Sequence, residues 1–172
     1  MFKVEQILSA TEGYFLGGDR SASVPGVSTD SRTIRKGDLF IPLSGDRFDG
    51  HAFVREAAEK GAAGILIRED KVQEVERLLS GRGISPFQVR VQDPLRALQE
   101  LAAAYRRRFP IPLVGITGSI AKTSTKEAVA SVLRTTFPTL KSEGNQNNEI
   151  GLPLTVLRLG PEHAAAVLEM GM

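Results

Sequence analysis

The run Leu113-Val-Gly-Ile-Thr-Gly-Ser-Ile-Ala-Lys-Thr-Ser-Thr-Lys126 constrains the fold of this chain more than any other stretch. An apolar segment, a loop of small residues and a helix start succeed one another, with Lys122 and Thr123 at the turn. The pattern is nearly the phosphate-binding loop Gly-x-x-x-x-Gly-Lys-[Ser/Thr], with Gly115 opening the run and Lys122-Thr123 closing it. Backbone N–H groups of such a loop, with the dipole of the helix it starts, favour an anionic phosphate. The lysine adds a point charge and the threonine hydroxyl a ligand for Mg²⁺. One position departs: alanine stands at 121, where the pattern demands glycine. An alanine at positive φ costs about 1 kcal/mol, and its methyl group would crowd a phosphate. Normal nucleotide binding, weakened binding and a tight strand-to-helix turn without a ligand are therefore all open.

The chain has 172 residues, 41% of them hydrophobic, enough for one large core or two small ones. Its 22 basic and 20 acidic residues leave a net charge of +2, which does not suggest a nucleic-acid partner. The basic cluster Arg106-Arg107-Arg108 suits a predicted helix end, where cations complement the dipole. With no cysteine, the chain has neither disulfides nor thiolate metal sites. Its start lacks the apolar core of a signal peptide, and no apolar run approaches the roughly 18 residues of a membrane span. The expectation is a cytoplasmic protein without membrane insertion.

Short helices are expected at 3–10, 51–60 and 70–79, and short strands at 13–17, 27–30, 39–43, 64–67 and 86–91. Ser44 to Gly50 reads as a loop. Asp93-Pro94 predicts a capped helix start, with the helix running to about Arg108. Phe109-Pro-Ile-Pro112 then breaks the pattern. Beyond it, strands are expected at 113–117, 139–141 and 164–170, with helices at 122–136 and 153–159. The fold class is α/β: a small N-terminal α/β domain over 1–109, then an incomplete P-loop-type parallel-sheet domain over 110–172. A parallel sheet needs both faces covered, so the second unit is expected to stop mid-domain, with sheet edges prone to self-association.

Four stretches taken together resemble the Mur ligases, ATP-dependent amide-forming enzymes of peptidoglycan precursor synthesis. They are Ser28-Thr-Asp-Ser-Arg32 with Lys36-Gly-Asp-Leu-Phe-Ile-Pro-Leu43; Gly45-Asp-Arg-Phe-Asp-Gly-His51; Gly115 to Lys126; and Gly144-Asn-Gln-Asn-Asn-Glu-Ile-Gly-Leu-Pro-Leu154. The last points to the branch of the family that joins D-Ala-D-Ala to UDP-MurNAc-tripeptide. The resemblance implies an N-terminal domain for the UDP part of the substrate and the opening part of a central ATP-binding domain. It also implies ATP and Mg²⁺ as cofactors, small-molecule substrates, and acyl-phosphate chemistry that depends on positioning and charge neutralisation.

Carried over residue by residue, the resemblance implies that Thr117, Gly118, Ser119, Ile120, Ala121, Lys122, Thr123 and Ser124 bind phosphate. Lys122 is the catalytic candidate, neutralising charge on the transferred phosphoryl group, and Thr123 with Glu169 would hold Mg²⁺. Asn145, Asn147 and Asn148 are placed to offer amides to the substrate, although Gly and Asn are also ordinary turn residues. In the N-terminal domain, Ser31 and Arg32 are candidates for uridine and diphosphate, against the plainer reading of a surface turn with an ion pair. Arg47, Phe48, Asp49 and His51 form a second substrate-binding cluster, and His51 equally suits a capping or core role. A chain of this extent is expected to bind the UDP-linked substrate without completing the reaction. The alternatives are a non-catalytic UDP-sugar-binding or interaction module and a P-loop ATPase unrelated to cell-wall chemistry.

Overall fold

A computed structural model describes residues 2–45, 48–81, 83 and 85–171. The chain divides into two compact units, Met1–Leu101 and Ala102–Met172. The first contains β1 (Phe2–Lys3), α1 (Val4–Thr11), β2 (Tyr14–Gly17), β3 (Ser23–Val24), β4 (Val27–Ser28) and β5 (Leu39–Phe40). Next come β6 (Ser44–Gly45), β7 (Phe48–Asp49), α2 (Val54–Glu59), β8 (Gly64–Arg68), α3 (Val72–Leu79), β9 (Phe87–Val91) and most of α4 (Pro94–Arg106).

The main sheet of this unit runs β2-β9-β8-β5-β4, parallel throughout except for the antiparallel β2–β9 edge. Four consecutive residues of β8, Gly64 to Ile67, are buried, as expected of a central parallel strand covered on both faces. Gly64 is required there: a Cβ would lie 2.1 Å from Phe87 Cζ, whose ring covers that spot. Phe40, Ile65 and Ile67 pack with Val54, Ala57 and Ala58 of α2, with Val75 of α3, and with Ile34. Spacing places Val72, Val75 and Leu79 on one face of α3, so the helix docks there and turns its charged residues outward.

Two strands of this unit are shorter than expected. Asp30 leaves the 27–30 strand because its N–H is taken by Ser28 Oγ. The 39–43 strand stops at Phe40, ahead of Pro42, which has no N–H for a ladder. The 44–50 loop contains a small antiparallel pair, Ser44↔Asp49 and Gly45↔Phe48. A second pair, Phe2↔Val24 and Lys3↔Ser23, has no short-range signal in the sequence. Asp93 caps α4 as expected, its carboxylate accepting from Leu95 N–H at 2.8 Å.

The division falls inside α4, ahead of the Phe109–Pro112 break, because the last helical turn packs against residues of the second unit. Tyr105 donates to the Leu159 carbonyl at 2.8 Å, and the rings of Tyr105 and Phe109 meet edge to face. Arg106 donates to the carbonyls of Phe109 and Ile111, so it ties down the turn. The second unit contains β10 (Leu113–Ile116), α5 (Lys122–Arg134), β11 (Thr139–Lys141), α6 (Gly151–Val156) and β12 (Ala165–Glu169). Its three strands are all parallel in the order β10-β12-β11. β12 is central and buried along its whole length, whereas β10 is only partly covered. The expected 153–159 helix begins earlier, at Gly151, because Asn148 Oδ1 accepts from the N–H groups of Ile150 and Gly151. No helix among the described residues is long and apolar enough to cross a membrane.

Candidate functional site

Sheet register brings the ends of two strands together. Ile116 of β10 pairs with Glu169 of β12, so the loop leaving β10 rises beside the Glu169 carboxylate. Gly115 lies within β10, paired with Leu168, and one residue more than the phosphate-loop pattern allows separates it from position 121. The glycine of the loop proper is Gly118, at φ 142°. Ala121 takes φ 60° and ψ 15°, the left-handed conformation that the pattern reserves for glycine, immediately before the first residue of α5. Its carbonyl accepts from Thr125 N–H at 2.9 Å and begins the helix. Ala121 thus holds a left-handed turn ahead of α5 despite its side chain.

A cleft of about 440 Å³ opens at this helix start, lined by Ala121, Lys122, Thr123, Ser124, Asn145, Asn147 and Glu169. Lys122 folds back, donating to the Gly118 carbonyl at 2.6 Å. Thr123 Oγ1 lies 3.1 Å from Glu169 Oε2. Two ligands adjacent on an octahedral Mg²⁺, each about 2.1 Å from the metal, lie about 3 Å apart, so the hydroxyl and carboxylate have a suitable spacing. Glu169 is 2% exposed. Burial pushes its carboxyl up, but hydrogen bonds from Asn147, Lys126 and Thr123 outweigh that and hold it below the usual carboxylate range. Ser142 Oγ accepts from its N–H at 3.1 Å.

The asparagine run separates into distinct roles. Asn145 is exposed at the cleft, and Asn147 donates to Glu169 Oε1 at 2.8 Å. Asn148 has its side-chain oxygen committed to the start of α6. Thr117, Ser119 and Ile120 are exposed on the loop. Sequence reading passed over Lys126, which is fully buried and lies 3.3 Å from Glu169 Oε2. Its signal was available: residues three and four apart share a helix face, which sets Lys126 beside Thr123 and Lys122.

In the first unit, Ser31 is buried and donates to Glu56 Oε2 at 2.8 Å, while Lys60 binds the Ser31 carbonyl and Glu56. Arg32 is 82% exposed and forks onto Asp30, the ion pair of the plainer reading. The Arg32 guanidinium holds the Asp30 carboxyl down at about 2. Phe48 is exposed, with Asp49 half-buried beside it. His51 has no exposed surface: Nδ1 meets Asp49 Oδ1 at 2.7 Å, and Nε2 accepts from Arg68 N–H at 3.2 Å. Both ring nitrogens are used within the fold, so His51 takes the core role of its readings. Burial pushes the Asp49 carboxyl up, but bonds from Lys71, His51 and Ser44 hold it well below its usual range. Arg47 lies outside the described residues.

A parallel-sheet unit preceded in sequence by a small α/β unit is the architecture that known proteins share with this chain. Residues 23–106 match the family profile "Mur ligase family, catalytic domain", and residues 116–172 match "Mur ligase middle domain". The chain belongs to the Mur ligase family. Within it, the chain is 44% identical to the UDP-N-acetylmuramoyl-tripeptide–D-alanyl-D-alanine ligase of Bacillus subtilis, over 87% of this chain and 31% of that protein. With the Escherichia coli ligase of the same name it shares 37% over 98% of this chain and 34% of that protein. Among solved structures, a UDP-N-acetylmuramoylalanyl-D-glutamyl-2,6-diaminopimelate–D-alanyl-D-alanyl ligase from Acinetobacter baumannii superposes with a TM-score of 0.83 at 33% identity, covering 99% of this chain and 36% of that one. A MurF ligase from Thermotoga maritima in complex with ADP gives 0.69 at 33% identity, covering 84% of this chain and 31% of that one. The chain spans about a third of the length of the curated relatives it matches.

Proposed function

We propose that the chain is the substrate-holding and phosphate-holding part of an ATP-dependent ligase that joins D-Ala-D-Ala to UDP-MurNAc-tripeptide in the cytoplasm. Residues 1–109 would bind the UDP moiety, with Ser31, Arg32, Arg47, Phe48 and Asp49 as candidate contacts. Residues 110–172 would bind ATP at the loop Thr117 to Ser124. The observation that carries this reading is the 3.1 Å approach of Thr123 Oγ1 to Glu169 Oε2 beside Lys122, at the N-terminus of α5.

The reaction needs the substrate carboxylate phosphorylated by ATP and the acyl phosphate attacked by an amine. The chain's own groups supply orientation and charge for the first step. The backbone of the loop and the dipole of α5 would face the phosphates. Lys122, which donates to the Gly118 carbonyl here, would offset developing charge on the transferring phosphoryl group. Thr123 and Glu169 would hold Mg²⁺, which when bound neutralises phosphate charge. Asn147 fixes the Glu169 carboxylate, and Asn145, exposed at the cleft, would meet substrate.

Ala121 supports a second reading, a UDP-sugar-binding module with little nucleotide affinity, because its side chain lines the cleft and would crowd a phosphate bound there. Calorimetric titration of the chain separates the two. Ligase-type function predicts saturable MgADP binding, lost in Lys122→Ala, together with binding of UDP-MurNAc-tripeptide that UDP displaces and Arg32→Ala weakens. Binding of the UDP-linked ligand alone would favour the module, and binding of neither would sink both.

A further inference from the structure

Lys126 is the cation that a phosphate loop does not account for. Its side chain is 1% exposed, and its ammonium lies 3.3 Å from Glu169 Oε2, 3.3 Å from the Gly144 carbonyl and 3.8 Å from Glu127 Oε1. Glu127 is itself bound by Lys141. Lys126 therefore offsets the charge of the Glu169 carboxylate from within the fold, and Lys122 adds a second ammonium at the same cleft. The Glu169 oxygen nearest Thr123 is also the one that Lys126 approaches. A buried ammonium is screened far less than a surface one, so a free dication arriving at Thr123 and Glu169 meets a carboxylate already neutralised. A dication carried by a di- or triphosphate arrives inside an anionic complex, which the ammonium groups of Lys122 and Lys126 attract.

We infer that Lys126 is a specificity-determining residue: it makes the Thr123–Glu169 pair reject free divalent cations and accept a divalent cation only as its nucleotide complex. The inference rests on the nucleotide reading of the cleft and adds a selectivity to it. Lys126 does this by charge, held in place by the Gly144 carbonyl on one side and Glu169 on the other.

The test is Mn²⁺ binding to the whole chain, monitored by electron paramagnetic resonance with free Mn²⁺ and with MnADP. In Lys126→Met the affinity for free Mn²⁺ should rise at least about tenfold and that for MnADP should fall at least about tenfold, the lower bound for a unit charge a few ångströms away that solvent still partly screens. Lys126→Arg, which keeps the charge, should match the wild type in both. Opposite changes are the signature of charge selection. Parallel losses would make Lys126 a packing residue and overturn the inference, as would no change in either. Should circular dichroism show Lys126→Met unfolded, Lys126→Gln repeats the comparison with a polar donor but no charge. If the wild type binds no MnADP, the nucleotide reading fails on its own. That outcome overturns the acceptance half of the inference, and the free Mn²⁺ arm still decides the rejection half, because a gain upholds the charge barrier and its absence removes it.

Discussion

Ala121 holds φ 60° at the first turn of α5, a conformation that costs an L-residue roughly 1–2 kcal/mol. Glycine would release that strain but add about 0.4–1 kcal/mol of unfolded-state entropy. Ala121→Gly should therefore stabilise the fold by roughly 0.5–1 kcal/mol in urea unfolding. It should also tighten MgADP binding, because the methyl group leaves the cleft. Unchanged MgADP affinity would show that the alanine does not obstruct the phosphates. In the other unit, Asp49 anchors Ser44, His51 and Lys71, and its carboxyl is held well below the ordinary aspartate value of 3.8. A depressed native value means that the unfolded chain takes up the proton first. The stabilisation is then fully present above about pH 4 and is lost as pH falls further. Urea midpoints of wild type and Asp49→Asn should differ at pH 7 and converge as pH drops below 4; a constant gap would refute the linkage.

At the scale of elements, the stretch 144–151 has two duties that look alike in sequence. Asn147 turns inward to Glu169, and Asn148 turns to the start of α6. A side-chain oxygen at a helix start contributes about 1 kcal/mol, and aspartate serves as well as asparagine. Asn148→Ala should lower stability by about that amount, and Asn148→Asp should restore it, read from thermal unfolding. If both variants lose UDP-MurNAc-tripeptide binding at full stability, Asn148 meets the substrate and the capping role is secondary. The β8 strand gives the opposite case, where Gly64 looks like a strand breaker but admits the Phe87 ring.

Across the molecule, stability is distributed by strand position. β8 and β12 sit inside their sheets and are buried, whereas β10 and β11 form the two edges of the second unit. Edge amides exchange with solvent sooner and offer pairing groups to another chain. Hydrogen exchange should be slowest in 64–68 and 165–169 and faster in 113–116. Sedimentation should show mass above the monomer as concentration rises. A strict monomer with β10 protected as well as β12 would contradict this.

The sequence by itself determined the alternation of helices and strands, the capped start at Asp93-Pro94 and the strand–loop–helix around Lys122. These arise from periodicity and turn chemistry, which act over a few neighbouring residues. It also carried the family, because the four motif stretches are local. Tertiary structure alone decided which of the candidate groups meet. Glu169 reaches Thr123 because parallel register sets Ile116 opposite it, and no local rule fixes a pairing across so long a crossover. The same packing buried Lys126 beside that carboxylate and enclosed His51 between Asp49 and Arg68. Side chains of ambiguous local meaning thus became a charged site in one unit and part of the core in the other, because burial and partner geometry are properties of the assembled fold.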